Sequence, residues 1–581
     1  VEDFLLLLSL EWHGMSHRPW LAHYDSGVPH SLAPYPKTTL LHYLDKISAR
    51  KPDHPVLIFK GSTISARELN LQSDAFANAL IELGVRPQER VALLLPNTPQ
   101  FMVAEFGIWK AGAIVVPINP LSAEPELEHA LVNTEAETII VLTPFYQRLK
   151  AVQERTQIHR VIATSIKDHL PPTLRILFTL FKERQEGHRI NIAHGDVWMK
   201  NLVQKHKGKP RTLLPITPDD PAVILSSGGT TGTPKGVIGL HRHYVTSGLQ
   251  IQAWTKSALG WNDTILLPLP LFHVYANVGA QSLAFIGGNP LALVPNPRDI
   301  SDVLKTTERV QPACFNGVPT LYTAMLNHPD VKAGKVKLSS VKVFVSGASA
   351  LLSETKQQFK EQIGATIVEG YSLTESMMAC CLNPVQGIQK LGSIGMPLPD
   401  VEVRIVDSET GEQELACGKV GELLLRAPQQ MVGYWNASEE NSETLQNHGP
   451  GQPWVHTGDL AYIDEDGYIF LVDRKKDMIK TSGFQVWPRE IEEVLASHPT
   501  VMEVGVAGIP DPHKGEAPKG WVVLKEGCTV TESQLRDFCR ERLSAYKIPI
   551  AIEFRSTLPK TLVGKILRRE LAAEHREKRS A

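Results

Sequence analysis

The chain has 581 residues, of which 42% are hydrophobic and 21% charged, and its 60 basic residues nearly balance its 62 acidic ones. A chain of this length exceeds what one hydrophobic core usually supports, so we expect two or more domains. The near-neutral charge balance argues against a nucleic-acid-binding protein.

The cysteines and the first residues bear on the compartment. Six cysteines are scattered, with only Cys380 and Cys381 adjacent and no Cys-x-x-Cys pair, which favours reduced thiols in the cytoplasm over a disulfide framework or a zinc site. No apolar run approaches the roughly 20 residues that span a bilayer. The apolar run 4–8 is short and follows two acidic residues, unlike a signal peptide. We interpret residues 1–14 as an over-long start and Met15 as the first residue.

Strand-like apolar runs alternate with helical patterns in the first part of the chain, and this pattern resumes from residue 222 to about residue 395. Such alternation predicts parallel sheets that helices cover on both faces, here as two stacked α/β subdomains. A short helix is expected at 101–110. The predicted strands are 91–95, 114–117, 138–142, 222–225, 264–267, 290–294 and 341–345.

Segment 171–184 differs from its surroundings because large apolar residues alternate with cations. Two interpretations stay open. The segment is either a helix that lies on a membrane surface or a buried helix under a loop.

A loop rich in glycine and hydroxyl groups follows the apolar run 222–225. Residues 226–236 read Ser-Ser-Gly-Gly-Thr-Thr-Gly-Thr-Pro-Lys-Gly. Glycines let backbone N–H groups converge on an anion, hydroxyls add donors and the lysine adds a positive charge, so the loop is typical of a polyphosphate site. It lacks the Walker pattern, and 236–238 is predicted to be a second strand. An ordinary hairpin is the alternative. His241-x-His243 is interpreted as a helix start rather than a metal site.

The last part of the chain changes character. Short strands are expected at 401–406, 421–426 and 467–472, forming a small β-rich subdomain. Helices are expected at about 488–497 and 532–543, where apolar residues align on one face of each. These helices predict a separate small α+β domain, and the charged run 473–477 is interpreted as the linker to it.

Four further motifs follow the glycine-rich loop. They are Glu-Gly-Tyr-Ser-Leu-Thr-Glu at 369–375, His-Thr-Gly-Asp at 456–459, Asp-Arg-Lys-Lys-Asp-Met-Ile-Lys at 473–480 and Pro-Lys-Thr-Leu-Val-Gly-Lys-Ile-Leu-Arg-Arg at 559–569. With the loop, and in this order, they resemble the adenylate-forming superfamily of acyl-CoA synthetases, luciferases and peptide-synthetase adenylation domains. The resemblance is strongest to bacterial long-chain fatty acyl-CoA synthetases and covers about residues 35–575.

The resemblance implies a domain plan. It has an N-terminal extension at 1–34, a large domain at 35–473, a hinge at 474–476 with its pivot at Lys476, and a mobile C-terminal domain at 477–581. The fold class is therefore α/β for the large domain, which has two stacked subdomains and a β-rich one, and α+β for the small domain.

The activity that the resemblance implies is a long-chain fatty acid–CoA ligase that uses ATP, Mg²⁺ and CoA. A medium-chain or aryl acid CoA ligase and a fatty acyl-AMP ligase that loads a carrier protein are the close alternatives, although the insertion typical of the latter is not seen at 395–473. A non-catalytic acyl–nucleotide binder or membrane uptake adaptor and a luciferase-type oxygenase are more distant ones. Relatives are often homodimers, so a homodimer is expected here. From segment 171–184 we also expect a peripheral contact with a membrane.

The resemblance also assigns residues to roles. Lys565 bridges the incoming carboxylate and the α-phosphate during adenylation, and Lys480 replaces it in the second pose. Glu375 and Thr230 hold Mg²⁺, and Thr374 contacts the α-phosphate region. The nucleotide contacts are Ser227, Gly228, Gly229, Thr230, Thr231, Gly232, Lys235, Gly347, Ala348, Glu369, Gly370, Tyr371, Thr374, Asp459, Arg474 and Lys565.

Among the nucleotide contacts, Tyr371 is expected near adenine, and Asp459 accepts hydrogen bonds from the ribose hydroxyls. The acyl substrate is assigned to His273, Gly347 and Gln485. His273 keeps the alternative of an ordinary core histidine. Ser372 replaces a common glycine of the family and Ala350 a common proline, and neither change removes a charged group.

Overall fold

The computed structural model describes residues 18–227, 234–561 and 564–580. Within them, the first sheet has eight strands: five from the first part of the chain, one from each side of the glycine-rich loop, and Gly433–Tyr434. Their spatial order is Gly433–Tyr434, Gly236–Leu240, Pro221–Ser226, Ile114–Pro117, Arg90–Leu94, Thr138–Leu142, Arg160–Thr164 and Val197–Trp198.

The second sheet is larger because the expected β-rich subdomain joins it edge to edge. Its parallel centre pairs Cys314–Gly317 with Val343–Ser346 and the latter with Ile367–Leu373, and antiparallel strands continue from there. Its spatial order in the described chain is Glu402–Val406, Gly421–Arg426, Trp454–Ile463, Ile469–Arg474, Ser393–Pro397, Met378–Leu382, Ile367–Leu373, Val343–Ser346, Cys314–Gly317, Ile265–Leu267, Leu291–Leu293, Pro55–Phe59 and Ser62–Ser65, with Leu445–Gln446 paired to Trp454–Ile463.

The two sheets share one core. All 12 residues of helix Pro99–Lys110 are buried, and one hydrophobic cluster contains side chains from both sheets. The chain also exchanges sheets, since Pro55–Phe59 belongs to the second sheet and Pro221–Ser226 to the first. The stacked α/β subdomains are therefore confirmed, but each is assembled from distant parts of the sequence.

The C-terminal part forms its own α+β unit. Its sheet has five strands in the described residues, Phe484–Val486, Ile479–Thr481, Gly515–Leu524 and Val501–Asp511, with Ala551–Phe554 paired to Gly515–Leu524. Helices Pro488–Ala496 and Glu532–Arg540 pack their apolar faces on it, with Ile491, Leu495 and Leu535 buried. Both helices were expected. Pro488 favours the start of the first because its φ is already helical, and Thr531 caps the second by accepting the Gln534 N–H. The boundaries at 474–476 stay a prediction.

Further helices cover the sheets and connect their strands. In the described residues these are Leu40–Arg50, Ala66–Glu82, Glu124–Thr134, Tyr146–Gln153, Pro172–Leu177, Met199–His206, His241–Thr255, Gln281–Gly287, Ile300–Val310, Pro319–Asn327, Pro329–Lys332, Ser353–Ile363, Ser438–Thr444 and Arg568–Ser580. The helix at His241 confirms the interpretation of His241-x-His243 as a helix start.

Segment 171–184 is not a buried helix, so that alternative is wrong. It forms helix Pro172–Leu177 and a π-helical turn, Phe178–Lys182, and neither contains a buried residue. Only Phe178 of the turn packs inward, with its ring 5.1 Å from that of His188. The other large apolar side chains of the segment are exposed, namely Leu174, Ile176, Leu177, Leu180 and Phe181. None of the described helices has the length and apolar character needed to cross a membrane.

The described end of the N-terminal region lies against the large domain. The Asp25 carboxylate accepts three backbone N–H groups of residues 385–387, and Asp400 accepts hydrogen bonds from Ser31 and Tyr35. Residues 18–34 are therefore tied to the second sheet. Residues 4–8 and Met15 lie outside the described residues.

Candidate active site

A cavity of about 420 Å³ lies in the cleft between the second sheet and the C-terminal unit. Motif residues from four separate parts of the sequence line it, namely Tyr371, Asp459, Arg474 and Lys565. Strands Ile367–Leu373, Trp454–Ile463 and Ile469–Arg474 and the turn before helix Arg568–Ser580 carry these side chains. The fold therefore brings together residues that are up to about two hundred positions apart in the chain.

Asp459 organises the wall of this cavity. One of its carboxylate oxygens accepts the Tyr371 hydroxyl at 2.5 Å, and the other lies 2.9 Å from Arg474 Nε. Strand pairing sets this contact, because Asp459 is directly opposite Arg474 in the ladder. The Asp459 carboxylate raises the pKa of Arg474, and burial raises that of Tyr371. The cluster presents a fixed carboxylate to the cavity with further acceptor capacity.

Lys565 reaches the same cavity from the C-terminal unit. Its backbone N–H donates to Thr561 Oγ1 at 3.1 Å, which holds the turn before the last helix. Burial lowers the pKa of Lys565 to about 8, with the positive charge of Arg474 adding to the effect and Asp459 opposing it. A lysine whose ammonium is poorly solvated interacts strongly with any anion placed in the cavity.

The flanks of the glycine-rich loop close on each other. The Ser227 backbone N–H donates to the Lys235 carbonyl at 2.7 Å, and the Lys235 N–H donates to Ser227 Oγ at 3.1 Å. The expected phosphate contacts Gly228, Gly229, Thr230, Thr231 and Gly232 lie outside the described residues.

Tyr434 connects Lys235 to the candidate metal ligand. The Lys235 ammonium lies 5.0 Å from the centre of the Tyr434 ring and 3.6 Å from Glu440 Oε1. The Tyr434 hydroxyl donates to Glu375 Oε1 at 2.9 Å. Tyr434 therefore contacts both Lys235, the expected cation of the phosphate site, and Glu375, its expected carboxylate. Thr374, which precedes Glu375 in the chain, is buried.

Other predicted nucleotide contacts line the cavity in different ways. Glu369 is buried and its carboxylate lies 3.0 Å from Lys356 Nζ, although burial still raises its pKa. Ala348 adopts φ 67° at the turn after strand Val343–Ser346 and lines the cavity with Gly370. Gly347, which precedes Ala348 in this turn, lines a second cavity and not the large one.

The second cavity is small, about 40 Å³, and mostly apolar. It meets the first at Ser346, Gly370, Tyr371 and Ser372, which line both. Its other walls include Tyr275 and Met378. The arrangement suits an acid whose carboxyl end lies at Tyr371 and whose apolar part extends away from the nucleotide cavity.

His273 is half-buried and is not among the described residues that line either cavity. Its Nδ1 accepts the Tyr275 N–H at 3.3 Å, which leaves Nε2 to carry the proton of the neutral ring. Burial lowers the pKa of His273 to about 4, so the ring is neutral near pH 7. Tyr275, which sequence reasoning missed, lines the apolar cavity in its place.

Lys480, Gln485 and Lys476 lie away from the large cavity in this arrangement. Lys480 and Gln485 face each other across an exposed hairpin, and exposed Lys476 lies in the turn Lys475–Asp477. In the described residues, no cluster of three or more histidine, cysteine or acidic side chains could hold a metal ion.

Two groups of site residues received no role from the sequence. Tyr434 lies outside every motif, and Asp473 and Arg568 look like ordinary charges of a linker and a helix start. Arg568 Nη1 donates to Asp473 Oδ1 at 2.7 Å, across 95 positions of the chain. Asp473 lies in the motif 473–480 and Arg568 in the motif 559–569, but nothing in the sequence connects the two.

Comparison with known proteins gives a consistent result over nearly the whole chain. Residues 44–435 match the model of the AMP-binding enzyme family, and residues 490–565 match that of the AMP-binding enzyme C-terminal domain. A long-chain-fatty-acid–CoA ligase of Bacillus subtilis (strain 168) is 36% identical over 97% of this chain and 99% of its own length. The ligase of that name from Escherichia coli O157:H7 is 36% identical over 96% and 98%.

A solved structure has a similar fold. The anthranilate CoA ligase AuaEII, in complex with anthranoyl-AMP, superposes with a TM-score of 0.83 at 28% identity and covers 94% of this chain and 98% of its own.

Proposed function

The chain belongs to the AMP-binding enzyme family, and from this premise we propose that it is a long-chain fatty acid–CoA ligase. Two long-chain ligases match it at 36% identity over almost their full lengths. The observation that carries the proposal is the cavity in which Lys565 faces Asp459, Arg474 and Tyr371, with an apolar cavity adjoining it.

In the first half-reaction, a fatty carboxylate oxygen attacks the α-phosphorus of ATP, and the bond to the β-phosphate breaks, releasing pyrophosphate. Two anions must approach each other, so the enzyme must neutralise charge and fix position. Lys565 donates to the carboxylate and to an α-phosphate oxygen as the charge moves between them. Asp459 accepts the ribose hydroxyls and Arg474 holds Asp459 in place.

The residues of the phosphate end suit a polyphosphate that arrives with Mg²⁺. Lys235 supplies a positive charge, and the Glu375 carboxylate, positioned by Tyr434, is the hard oxygen ligand that Mg²⁺ prefers. Glu375, with Thr230, would hold the ion, whose charge offsets that of the phosphates when it is bound. Thr374 lies beside this carboxylate.

In the second half-reaction, the CoA thiolate attacks the acyl carbonyl carbon and AMP leaves, which yields the thioester. We assign this step to a second pose in which the C-terminal domain turns about Lys476 and the hairpin with Lys480 and Gln485 replaces Lys565. In this structure Lys480 and Gln485 are exposed and do not line the large cavity, so the hairpin reaches the cavity only if the domain turns.

An aryl or medium-chain acid is the second candidate substrate. The anthranilate CoA ligase supports it through the fold, at 28% identity. The long-chain relatives are more similar, at 36%, and favour the fatty acid.

The test is a product assay with Mg²⁺-ATP and fatty acids from C6 to C20, with and without CoA, read by mass spectrometry. We expect acyl-CoA and AMP together, with the highest rate for long chains. Acyl-adenylate that never becomes a thioester would indicate a ligase that loads a carrier protein, and benzoate or anthranilate turning over faster would indicate an aryl acid ligase. No product from any acid contradicts the proposal.

Segment 171–184 supports a peripheral contact of the protein with anionic lipid. Leu180 is 69% and Phe181 70% exposed, and the cations Arg175, Lys182 and Arg184 lie in the same turns. Apolar side chains flanked by cations suit the boundary between acyl chains and anionic headgroups.

We expect Leu180→Ser with Phe181→Ser to lower binding to phosphatidylglycerol vesicles at least fivefold in a flotation assay while the ligase rate in detergent-free buffer stays the same. Leu213→Ser is the control, because Leu213 is 78% exposed at another site. Equal binding of all three proteins contradicts the contact. Sedimentation equilibrium tests the homodimer that the resemblance implies.

A further inference from the structure

Asp473 is the last acidic residue of the large domain before the expected hinge at 474–476. It is buried near the end of strand Ile469–Arg474, and both of its oxygens accept hydrogen bonds from the C-terminal unit. Arg568 Nη1 donates to Oδ1 at 2.7 Å, and the Arg489 backbone N–H donates to Oδ2 at 2.9 Å. One carboxylate therefore joins two elements of the C-terminal unit to the large domain.

Arg568 is itself fixed within the C-terminal unit. Its Nε and Nη2 donate to the two Glu492 oxygens at 2.9 and 2.6 Å, and Nη1 also lies 3.2 Å from Asp477 Oδ2. A guanidinium fork held on one carboxylate in this way is a rigid donor for another. Arg568 is three positions after Lys565, at the start of helix Arg568–Ser580. The position of Arg568 therefore determines that of Lys565.

Rotation about Lys476 would affect these contacts unequally. Glu492 and Asp477 would move with Arg568, whereas Asp473 would stay with the large domain. The pose with Lys565 in the cavity therefore has one charge-assisted bond and one backbone bond that the rotated pose lacks. Separating a buried ion pair leaves a carboxylate that needs new solvation.

We propose that Asp473 is a positioning residue for adenylation, which latches the C-terminal domain through Arg568 and Arg489 in the pose that places Lys565 in the cavity. Release of this latch precedes the thioester step. Asp473 lines the edge of the large cavity, and in this role it acts through the domain it holds. The inference rests on the proposed function, since it assigns the two half-reactions to two poses.

Asp473→Asn tests the latch because the amide keeps the shape but has one acceptor oxygen for three donors, the third being the Arg474 N–H, which donates to Oδ1 at 2.8 Å. We expect the rate of acyl-adenylate formation, measured as pyrophosphate release without CoA, to fall about tenfold, as for loss of one hydrogen bond to a charged group. Thioester formation from supplied acyl-adenylate should stay within twofold. Arg568→Lys keeps the charge but not the planar guanidinium, so it should also slow adenylation and leave thioester formation unchanged. This second variant keeps the test valid if Asp473→Asn is unstable.

Glu553→Gln is the matched control. The Glu553 carboxylate also contacts three cations, Lys519, Arg555 and Lys578, but all of them lie within the C-terminal unit. It should leave both half-reactions unchanged. Trypsin should cut after exposed Lys475 and Lys476 several times faster in Asp473→Asn than in the control or the unchanged protein.

The outcomes separate the latch from the proposed function. If the unchanged protein makes no acyl-CoA, the proposed function fails. If it is active and Asp473→Asn slows both half-reactions equally, or neither, with hinge cleavage unaltered, the latch is wrong.

Discussion

The role of Lys565 can be tested directly, because this residue reaches the cavity from the C-terminal unit and is assigned to adenylation alone. Its Nζ approaches Asp459 and Arg474 closely enough for their charges to alter its pKa. We expect Lys565→Ala to slow adenylation by two to three decades, the equivalent of about 3–4 kcal/mol for one lost transition-state donor. Pyrophosphate release measures the effect.

Thioester formation from supplied acyl-adenylate is the control, since the second pose that we propose does not use Lys565. Equal loss of both steps would remove Lys565 from the role assigned to it and indicate a general effect on the cleft.

The lowered pKa of Lys565 also predicts a pH dependence. Burial brings this pKa to about 8 from its ordinary value of 10.5. The cation is the form that bridges two anions, so adenylation should decline as the pH rises through about 8, by up to tenfold per unit above it. Pyrophosphate release between pH 6 and 10, taken as kcat/KM at ATP concentrations well below KM, measures this, because kcat/KM reports the pKa of the free enzyme. In Lys565→Arg the decline should disappear, because arginine stays charged; a decline at the same pH in both proteins would assign it to another group.

The helix Pro99–Lys110 carries a buried acid that braces the acyl-side π-helix. Glu105 Oε1 accepts the Asn277 amide at 2.6 Å and Oε2 accepts that of Gln281 at 2.7 Å. Asn277 belongs to the π-helical segment Tyr275–Ala280, which forms part of the apolar cavity wall. Burial raises the pKa of Glu105 to about 8, although both amides lower it.

Glu105→Gln should therefore alter how stability depends on pH. The folded protein holds an extra proton on Glu105 between about pH 4.5 and 8, so its unfolding free energy falls as the pH rises through that range. Glutamine does not titrate. We expect the melting temperature of Glu105→Gln, relative to the unchanged protein, to increase from pH 5 to pH 8 by about 2 °C per unit. Glu361→Gln, at an exposed site, should show no such trend; a parallel trend in both would contradict the assignment.

The π-helix also sets the depth of the apolar cavity. A Cβ on Gly279 would lie 2.5 Å from Met378 Sδ and Cε. At about 40 Å³ the cavity is smaller than a pocket for a small ligand, so a long chain needs the flexible Met378 side chain to move.

We expect Gly279→Val to raise KM for C16 acid at least tenfold, because the valine blocks the space into which Met378 can turn. KM for C8 acid and for ATP should change less than threefold, which serves as the internal control. Met378→Ala should favour longer chains. A uniform loss with all acids would mean that Gly279 serves packing alone.

Single elements of this fold are readable from the sequence, but their pairing is not. Continuous apolar runs predicted strand Arg90–Leu94 as 91–95 and Ile114–Pro117 at its own limits, because a strand buried on both faces needs no polar positions. Local pattern holds no information about which sheet a strand joins, so the exchange of Pro55–Phe59 and Pro221–Ser226 between sheets was not foreseen. For the same reason the sequence leaves open whether segment 171–184 is buried, since burial depends on what covers a helix.

The same division holds for the candidate site. Motifs predicted Asp459, Arg474, Tyr371 and Lys565, and the fold places all four around one cavity. His273 was assigned by its motif alone, and the cavity wall uses Tyr275 instead. Contacts such as Asp473 with Arg568 join positions 95 apart and depend on how one domain rests on the other. Only a three-dimensional arrangement reveals them.

The whole enzyme is predicted to work by moving one domain against the other, and a cross-link can stop that movement. The Ser353 N–H of the large domain donates to Glu493 Oε2 of the C-terminal unit at 3.3 Å, so the two positions face each other across the cleft. Ser353→Cys with Glu493→Cys, joined by a short bismaleimide, should fix the pose that has Lys565 in the cavity. Cys417 and Cys528, the partly exposed cysteines, are first replaced by serine.

The cross-linked protein should form acyl-adenylate in a single turnover at near the uncross-linked rate and should lose acyl-CoA formation by at least a hundredfold, because the Lys480 hairpin cannot reach the cavity. Each single-cysteine variant treated with the same reagent is the control for modification itself. Both half-reactions are read by mass spectrometry after quenching. Acyl-CoA production at an undiminished rate in the cross-linked protein would mean that one pose carries both steps, and that the hinge at 474–476 serves substrate entry rather than the exchange of lysines.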